Sequence, residues 1–429
     1  VGEKLKFILS DLHLGAGYAN EGNYLETFLA DKELVQFLDE IRRESEQRQC
    51  EVELIINGDF LDFLNVPAVN DFSPSQLYPP EVYLDSSEEA SLKRLNLIID
   101  GHAEVFKALT EFMCLKPPQR RMTLIKGDHD VNLYWSGIKN RLRQILDASD
   151  SQLVFAEKFV NREKIHIQHG HQLAEKVNRY HDFLDPRRSD NLTQLHYPPI
   201  FHLLIDFLQV RGQERWFINN IKPITAMICY ALPWNFNFAV KLLLSFINLQ
   251  SAIFPLDTFL QELADSTICQ QMSERYATEK TFRREFHQKI LPYLQVTIPA
   301  ATIETITSTS ALSFSNPLAI GQAAQQHQQA LLRWAAETVV EQVNAQVVFF
   351  GHTHRPNQEL LSTGAVYINT GSWTKDCMSV SPQKMDNFFA GTLQQNVSLN
   401  RLPFARIDYS DQDNLTAQLL YFTNPNVVL

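Results

Sequence analysis

From residue 6 to about 170, short apolar runs alternate with longer stretches in which apolar residues recur at helical spacing. Phe7, Ile8 and Leu9 run into Ser10 and Asp11. A helical stretch from about Tyr24 to Arg48 follows, and Val52 to Ile56 then ends in Asn57, Gly58 and Asp59. A second helical stretch, from about Ser87 to Leu115, leads to the run Met122 to Ile125, which ends in Lys126, Gly127 and Asp128. After a short helix near 138–146 come two strand-like pieces, Leu153 to Phe155 and Lys164 to Gln168, the second running into His169, Gly170 and His171. Strands alternating with helices predict an α/β sheet. The polar residues gather where the strands end, which is where such sheets place their sites. The proline-rich connection from Val66 to Asp85 is long enough to predict a functional or covering loop.

Between about 172 and 345 the pattern is long, helical and aromatic-rich, and strand character returns only at Val347 to Phe350. It continues at Ala365 to Asn369, Leu402 to Ile407 and Ala417 to Phe422. From Pro223 to Leu256 the only charged residue is Lys241, which approaches the roughly 20 apolar residues of a membrane span. Pro233, Asn235, Asn237, Asn248 and Gln250 interrupt that run. Three readings follow from it: a buried helical subdomain, a lid or interfacial surface meeting lipid through 223–256, or a true span.

Composition narrows the function class. With 45% hydrophobic and 20% charged residues over 429, the chain is a folded globular one with room for a large core. Lys and Arg number 38 against 49 Asp and Glu, a net charge of −11, and no basic run is longer than a pair such as Arg187-Arg188 or Arg283-Arg284. Nucleic acid is disfavoured as a partner by that balance. A phosphate-bearing substrate stays open if metal ions bring positive charge locally. The scattered Cys50, Cys114, Cys229, Cys269 and Cys377 form no C-x-x-C pair, which points to reduced thiols rather than disulfides or a thiolate zinc site. With no export signal visible, the expectation is a cytoplasmic protein, peripheral to a membrane if 223–256 meets lipid.

Five short patterns after strands hold nearly all the candidate ligands: Asp11-Leu12-His13, Gly58-Asp59, Gly127-Asp128-His129-Asp130, His169-Gly170-His171 and Gly351-His352-Thr353-His354. Each alone is a common turn. Together, in order and at strand ends, they indicate a metal site. Carboxylate and imidazole without thiolate suit Mn²⁺ best, with Fe²⁺, Zn²⁺ or Ni²⁺ as alternatives, rather than Ca²⁺. Two cations about 3.5–4 Å apart need a shared carboxylate and open positions for a water-derived nucleophile and a substrate oxygen. The glycines before Asp59, Asp128 and His352 are expected where the backbone turns sharply beside the ions. No P-loop, dinucleotide fingerprint or nucleophile elbow is present.

These motifs resemble the signature of the calcineurin-like metallophosphoesterase superfamily, D-x-H, G-D, G-N-H-D/E, H and G-H-x-H, over about 1–171 and 345–429. The resemblance implies a four-layer αββα sandwich interrupted by a large α-helical insertion. Residues 1–171 and 346–429 would form the catalytic domain, and 172–345 the insertion, as a lid or interaction subdomain. It also implies that Asp11, His13 and His354 bind one metal, Asp128, His169 and His352 the other, and that Asp59 bridges. His129 would stand beside the substrate phosphate or protonate the leaving oxygen, with Asp130 orienting its ring. His171 matches no ligand position and is expected just outside the ligands. The reaction implied is hydrolysis of a phosphomonoester, phosphodiester or pyrophosphate by a metal-bridging hydroxide.

One position departs from the pattern. Asp128 stands where the family has Asn, giving three ligand carboxylates instead of two. The added charge should tighten cation binding, weaken the metals as Lewis acids and repel a substrate phosphate.

Subfamily features work mainly by exclusion. Gly58-Asp59-Phe60-Leu61-Asp62-Phe63 lacks the extension of protein serine/threonine phosphatases, and Asp62 stands where purple acid phosphatases carry a tyrosine ligand. Ser10 to Gly15 and the G-D-x-x-D run are similar to the repair exonucleases, against which the acidic balance speaks. The closing Gly351-His352-Thr353-His354-Arg355-Pro356 and the helical insertion are similar to UDP-2,3-diacylglucosamine pyrophosphatase, which implies a lipid-linked substrate. That insertion is shorter, and the lipid enzyme typically has Arg at the position of His129. The contrasting expectation is a catalytically weakened metal-binding scaffold whose insertion binds a partner.

Overall fold

The computed structural model describes residues 4–113, 117–174, 178–210, 221–248, 257–294, 317–374, 402–409 and 415–423. In chain order the elements are β1 (Lys4–Leu9), α1 (Asp31–Arg48), β2 (Glu51–Asn57), α2 (Glu81–Leu84), α3 (Glu88–Gly101), α4 (Ala103–Phe112), β3 (Arg120–Ile125), α5 (Ser136–Ile145), β4 (Leu153–Ala156), β5 (Phe159–Arg162) and β6 (Ile165–Gln168). A helical stretch follows: α6 (His171–Ala174), α7 (Pro199–Val210), α8 (Ile224–Ala231), α9 (Phe236–Asn248), α10 (Thr258–Ala264), α11 (Ser266–Thr278), α12 (Lys280–Leu294) and α13 (Pro317–Val343). The chain then returns to strands with β7 (Val347–Phe350), β8 (Asn357–Leu360), β9 (Val366–Asn369), β10 (Leu402–Tyr409) and β11 (Leu415–Phe422). This is a mixed α/β fold.

The strands form two sheets, ordered β11-β10-β1-β2-β3-β4 and β5-β6-β7-β9-β8. β1 to β4 run parallel, as do β6, β7 and β9, so each sheet has a parallel centre. Alternate residues of a strand face opposite sides. Ile8, Ile55 and Ile125 of the first sheet therefore pack on Ile165, Ile167, Val347, Phe349 and Ile368 of the second. The other faces of these strands meet helices. Phe7, Leu54, Met122 and Leu124 join residues of α1, α3, α4 and α5, while Val348 and Phe350 join Leu332, Ala335 and Ala336 of α13.

Several boundaries differ from the sequence pattern, each for a local reason. The helix expected from Tyr24 starts at Asp31, because the buried Glu26 carboxylate accepts from Gly17 N at 2.6 Å and Phe28 N at 2.8 Å and holds the segment in a loop. The stretch 87–115 is two helices broken at Gly101. A Cβ there would lie 2.2 Å from the Ala16 carbonyl oxygen, so the break is where two backbones touch. Residues 66–85 contain the short α2, and the buried Arg94 donates to the carbonyls of Val66, Val82 and Tyr83, fixing the connection to α3. β5 and β8 were not expected. Both are edge strands, and β8 reads Asn-Gln-Glu-Leu, without an apolar run to announce it.

The apolar run after Pro223 turns inward in its described part. All eight residues of α8 are buried, as are Phe236, Phe238, Leu242, Leu243, Phe246 and Ile247 of α9. They share a core with α10 to α12 and with Tyr180, Phe183 and Phe201, and Leu64 and Val131 reach the same core from the strand-end loops. Among the described residues no helix is long and apolar enough to cross a membrane. Residues 249–256 of that run, and Cys114 and Cys377, lie outside the described residues.

Candidate metal centre

The loops that leave β1, β2, β3, β6 and β7 meet at one end of the two sheets. They bring Asp11, His13, Asp59, Asp128, His129, His169, His352 and His354 together, each at least nine-tenths buried. Their ligand atoms form four overlapping groups able to hold a cation: Asp11 with His13 and His354, His13 with Asp59 and His129, Asp128 with His169 and His352, and Asp11 with Asp59 and His169. Asp59 is thus shared between neighbouring groups, and its Oδ2 lies 3.5 Å from His13 Nε2 and 3.2 Å from His169 Nε2.

The backbone is bent to make this possible. Asp11, His13, Asp59, His352 and His354 all have φ between 52° and 66°, a region that costs a non-glycine residue roughly 1–3 kcal/mol. Of the three glycines, only Gly58 has positive φ, at 81°. Gly127 and Gly351 serve close approach instead of a sharp turn. A Cβ on Gly127 would sit 2.2 Å from Asp59 Oδ1, and one on Gly351 would sit 2.6 Å from Asp11 Oδ2.

Hydrogen bonding leaves selected atoms free. His352 N donates to Asp11 Oδ2 and His129 N to Asp59 Oδ1, both at 2.9 Å. The partner oxygens, Asp11 Oδ1 and Asp59 Oδ2, are buried without any hydrogen bond. Such atoms are costly unless something else satisfies them, and both face imidazole nitrogens. His169 Nδ1 donates to the Asn57 carbonyl at 2.9 Å, which turns Nε2 toward Asp59 and toward Asp128 Oδ1 at 2.8 Å. The site thus fits divalent cations on its own chemistry: two orphaned carboxylate oxygens, imidazoles on either side, and glycines that leave room.

The electrostatics agree. Burial opposes ionisation of Asp11 and Asp128, yet the imidazoles beside them, His169 and His354 for Asp11 and His352 and His169 for Asp128, hold both carboxyls well below the usual range. His169 is pushed up against its own burial by Asp59, Asp11 and Asp128. Burial, aided by the Lys222 charge, pushes His354 down to about 3.

His129 stands beside the ligands, its ring 4.5 Å from that of His13 and 5.5 Å from that of Phe201 on α7. Its ring partner corrects the expectation from sequence. Asp62 Oδ1, not Asp130, lies 3.0 Å from His129 Nδ1, and against burial the Asp62 charge raises the ring to about 9. Asp130 points the other way, accepting from Gly127 N at 2.6 Å and Phe60 N at 2.9 Å. It clamps the β3 loop to the β2 loop and does not reach the imidazole. His171 lies just outside the ligands, with Nδ1 3.9 Å from Asp128 Oδ1 and its ring 4.6 Å from that of Phe183, and burial lowers it to about 3.

Residues that sequence reasoning passed over complete the site. Asp62 could have been found from the G-D-x-x-D spacing. Asn178, whose side-chain amide is 3.3 Å from His352 Nε2, Tyr180, whose hydroxyl donates to the Asp128 carbonyl, and Lys222, 3.3 Å from His352 Nδ1, all come from the helical stretch and carry no motif.

No family model matches the chain, and no curated protein sequence does. Among solved structures it is similar to the crystal structure of a dimetal phosphatase from Danio rerio, at 12% identity and a TM-score of 0.32, with 98% of each chain covered. A likeness of that size leaves the reading to the residues themselves.

Proposed function

We propose that the chain is a dinuclear-metal phosphoesterase hydrolysing a phosphate ester, with Asp11, His13 and His354 on one cation, Asp128, His169 and His352 on the other, and Asp59 shared. The observation that carries this reading is the pair of orphaned oxygens, Asp11 Oδ1 and Asp59 Oδ2, at the centre of overlapping carboxylate and imidazole groups drawn from five loops. When bound, the cations supply Lewis acidity toward phosphoryl oxygens and an acidified water at neutral pH. The protein's own part is to hold the ligands in place and exclude bulk water from a buried site. His129, charged beside Asp62, stabilises the developing negative charge or delivers a proton to the leaving oxygen.

The sheet pairing supports a four-layer catalytic domain of 1–171 and 346–429. β6 pairs with β7 in parallel, Ile165 opposite Val347, although the whole helical stretch lies between them. Residues 172–345 then form an insertion whose first part closes over the site. Lys126 Nζ donates to the Phe183 carbonyl, and Tyr197 to Asn132. Mn²⁺ is the first cation to try, because mixed carboxylate and imidazole donors suit it.

Protein stripped with chelator and reloaded with Mn²⁺ should hydrolyse chromogenic phosphate mono- or diesters, and His129→Ala should lower kcat by about 10²-fold or more. Equal rates for wild type and His129→Ala, or activity indifferent to chelation, would falsify the reading.

A further inference from the structure

Lys222 comes from the helical stretch and is the last charged residue before the uncharged run that begins at Pro223. Its Nζ lies 3.3 Å from His352 Nδ1, across 130 residues of sequence. An ammonium can only donate, so the Nδ1 lone pair is the acceptor. Asp128 Oδ1 lies 3.3 Å from the same nitrogen. One lone pair cannot serve both Lys222 and a divalent cation. Were His352 to give it to a cation, the Lys222 ammonium, on a flexible four-carbon stem, would be left to find an anionic acceptor in its place.

We propose that Lys222 is the anchor for a non-bridging oxygen of the substrate phosphate, supplied by the insertion to offset the extra carboxylate of Asp128. The inference rests on the phosphoesterase reading above. Two divalent cations against Asp11, Asp59 and Asp128 leave a net charge of plus one. Lys222 brings it to plus two, the value that a neutral residue at 128 would give without the lysine. The repulsion that Asp128 exerts on a phosphate is thereby balanced by a cation placed beside the same nitrogen of His352. Asp128 keeps its benefit as a tight cation ligand, and the site regains the charge an anionic substrate needs. Lys222 also ties substrate binding to the placement of the insertion, since the lysine cannot reach the site unless α8 is docked.

The test uses the full chain with inorganic phosphate as probe, and titration calorimetry of Mn²⁺ and then of phosphate into the Mn²⁺-loaded protein. In Lys222→Met, Mn²⁺ should bind at least as tightly as in wild type, which also shows the site intact, while phosphate binding weakens about tenfold or more. Lys222→Arg should retain phosphate affinity within about threefold. In the Asp128→Asn/Lys222→Met double variant, phosphate affinity should recover most of the loss. Unchanged phosphate affinity in Lys222→Met with normal Mn²⁺ binding overturns the proposal and leaves the metal reading standing. Loss of Mn²⁺ binding in Lys222→Met alone also overturns it, because the lysine would then be building the metal site. A double variant as weak as Lys222→Met overturns the charge balance. A wild type that binds no Mn²⁺ overturns the phosphoesterase reading itself, and the anchor with it.

Discussion

Asp62 and Asp130 are both fully buried carboxylates near His129, and their partners give them different work. Asp62 meets an imidazole at 3.0 Å and is fixed by Asn65, which donates through its backbone at 3.2 Å and its side chain at 2.6 Å. Asp130 meets two backbone amides and no ring. Changing each to Asn should therefore give opposite results. Asp62→Asn loses the charge that orients and raises His129, and kcat should fall about 10- to 100-fold. Asp130→Asn turns an amide donor against one of two backbone N–H groups, so it should cost about 1–3 kcal/mol of stability while the folded fraction keeps near-normal kcat. Steady-state rates and urea melts on both variants decide the matter; a larger kcat loss for Asp130→Asn would reverse the assignment. The candidate ligands were legible because cation chemistry restricts residue type and the motifs fix spacing. Of the orienting groups, Asp62 was within reach through the G-D-x-x-D spacing, whereas a carbonyl such as that of Asn57 carries no side-chain signature.

At the scale of elements, the sequence pattern located most strands and misplaced helix ends where a buried polar group outcompeted helical spacing. The α3–α4 junction shows both effects. Gly101 allows the backbone of Ala16 and Gly17 to touch the helix, and the next residue, His102, is buried between the Asp31 carboxylate at 2.7 Å and the Glu26 carboxylate at 3.3 Å. Burial opposes the charge on His102, but the two carboxylates prevail and raise it to about 10. A folded-state value above the unfolded one, near 6.5, stabilises fully below about pH 6.5, and the contribution is lost as pH rises through about 10. His102→Gln should thus cost about 3 kcal/mol at pH 6, with the gap to wild type shrinking steadily toward pH 10. Urea unfolding of both proteins at pH 6, 8 and 10 reads that gap, and a gap independent of pH would mean that His102 packs without being charged. The same junction holds Asp31 at the start of α1, so the loop after β1 and the helix after it are set by one histidine.

The whole molecule assembles its site from residues as far apart as Asp11 and His354, and nothing local makes that assembly favourable. Five left-handed residues, two orphaned carboxylate oxygens and a dense group of like charges are all unfavourable by themselves. The two packed sheets supply the compensation through the isoleucine-rich layer between them and the aromatic core that packs the helical stretch against Leu64 and Val131. That layer was visible in the sequence as apolar runs; the seating of the helical stretch was not, because its contacts are non-local and its pattern is simply helical. A cation that satisfies the orphaned oxygens binds the folded state and has little to hold in the unfolded one. Stability must then rise by linkage, about 2.7 kcal/mol at a free concentration one hundred times Kd. Added Mn²⁺ should raise the melting temperature of chelator-treated protein by a few degrees, in a concentration-dependent way, and excess chelator should reverse it. In Asp59→Asn the shared oxygen loses its charge, and most of the rise should disappear. An equal rise in wild type and Asp59→Asn would place the stabilising cation somewhere other than between these loops.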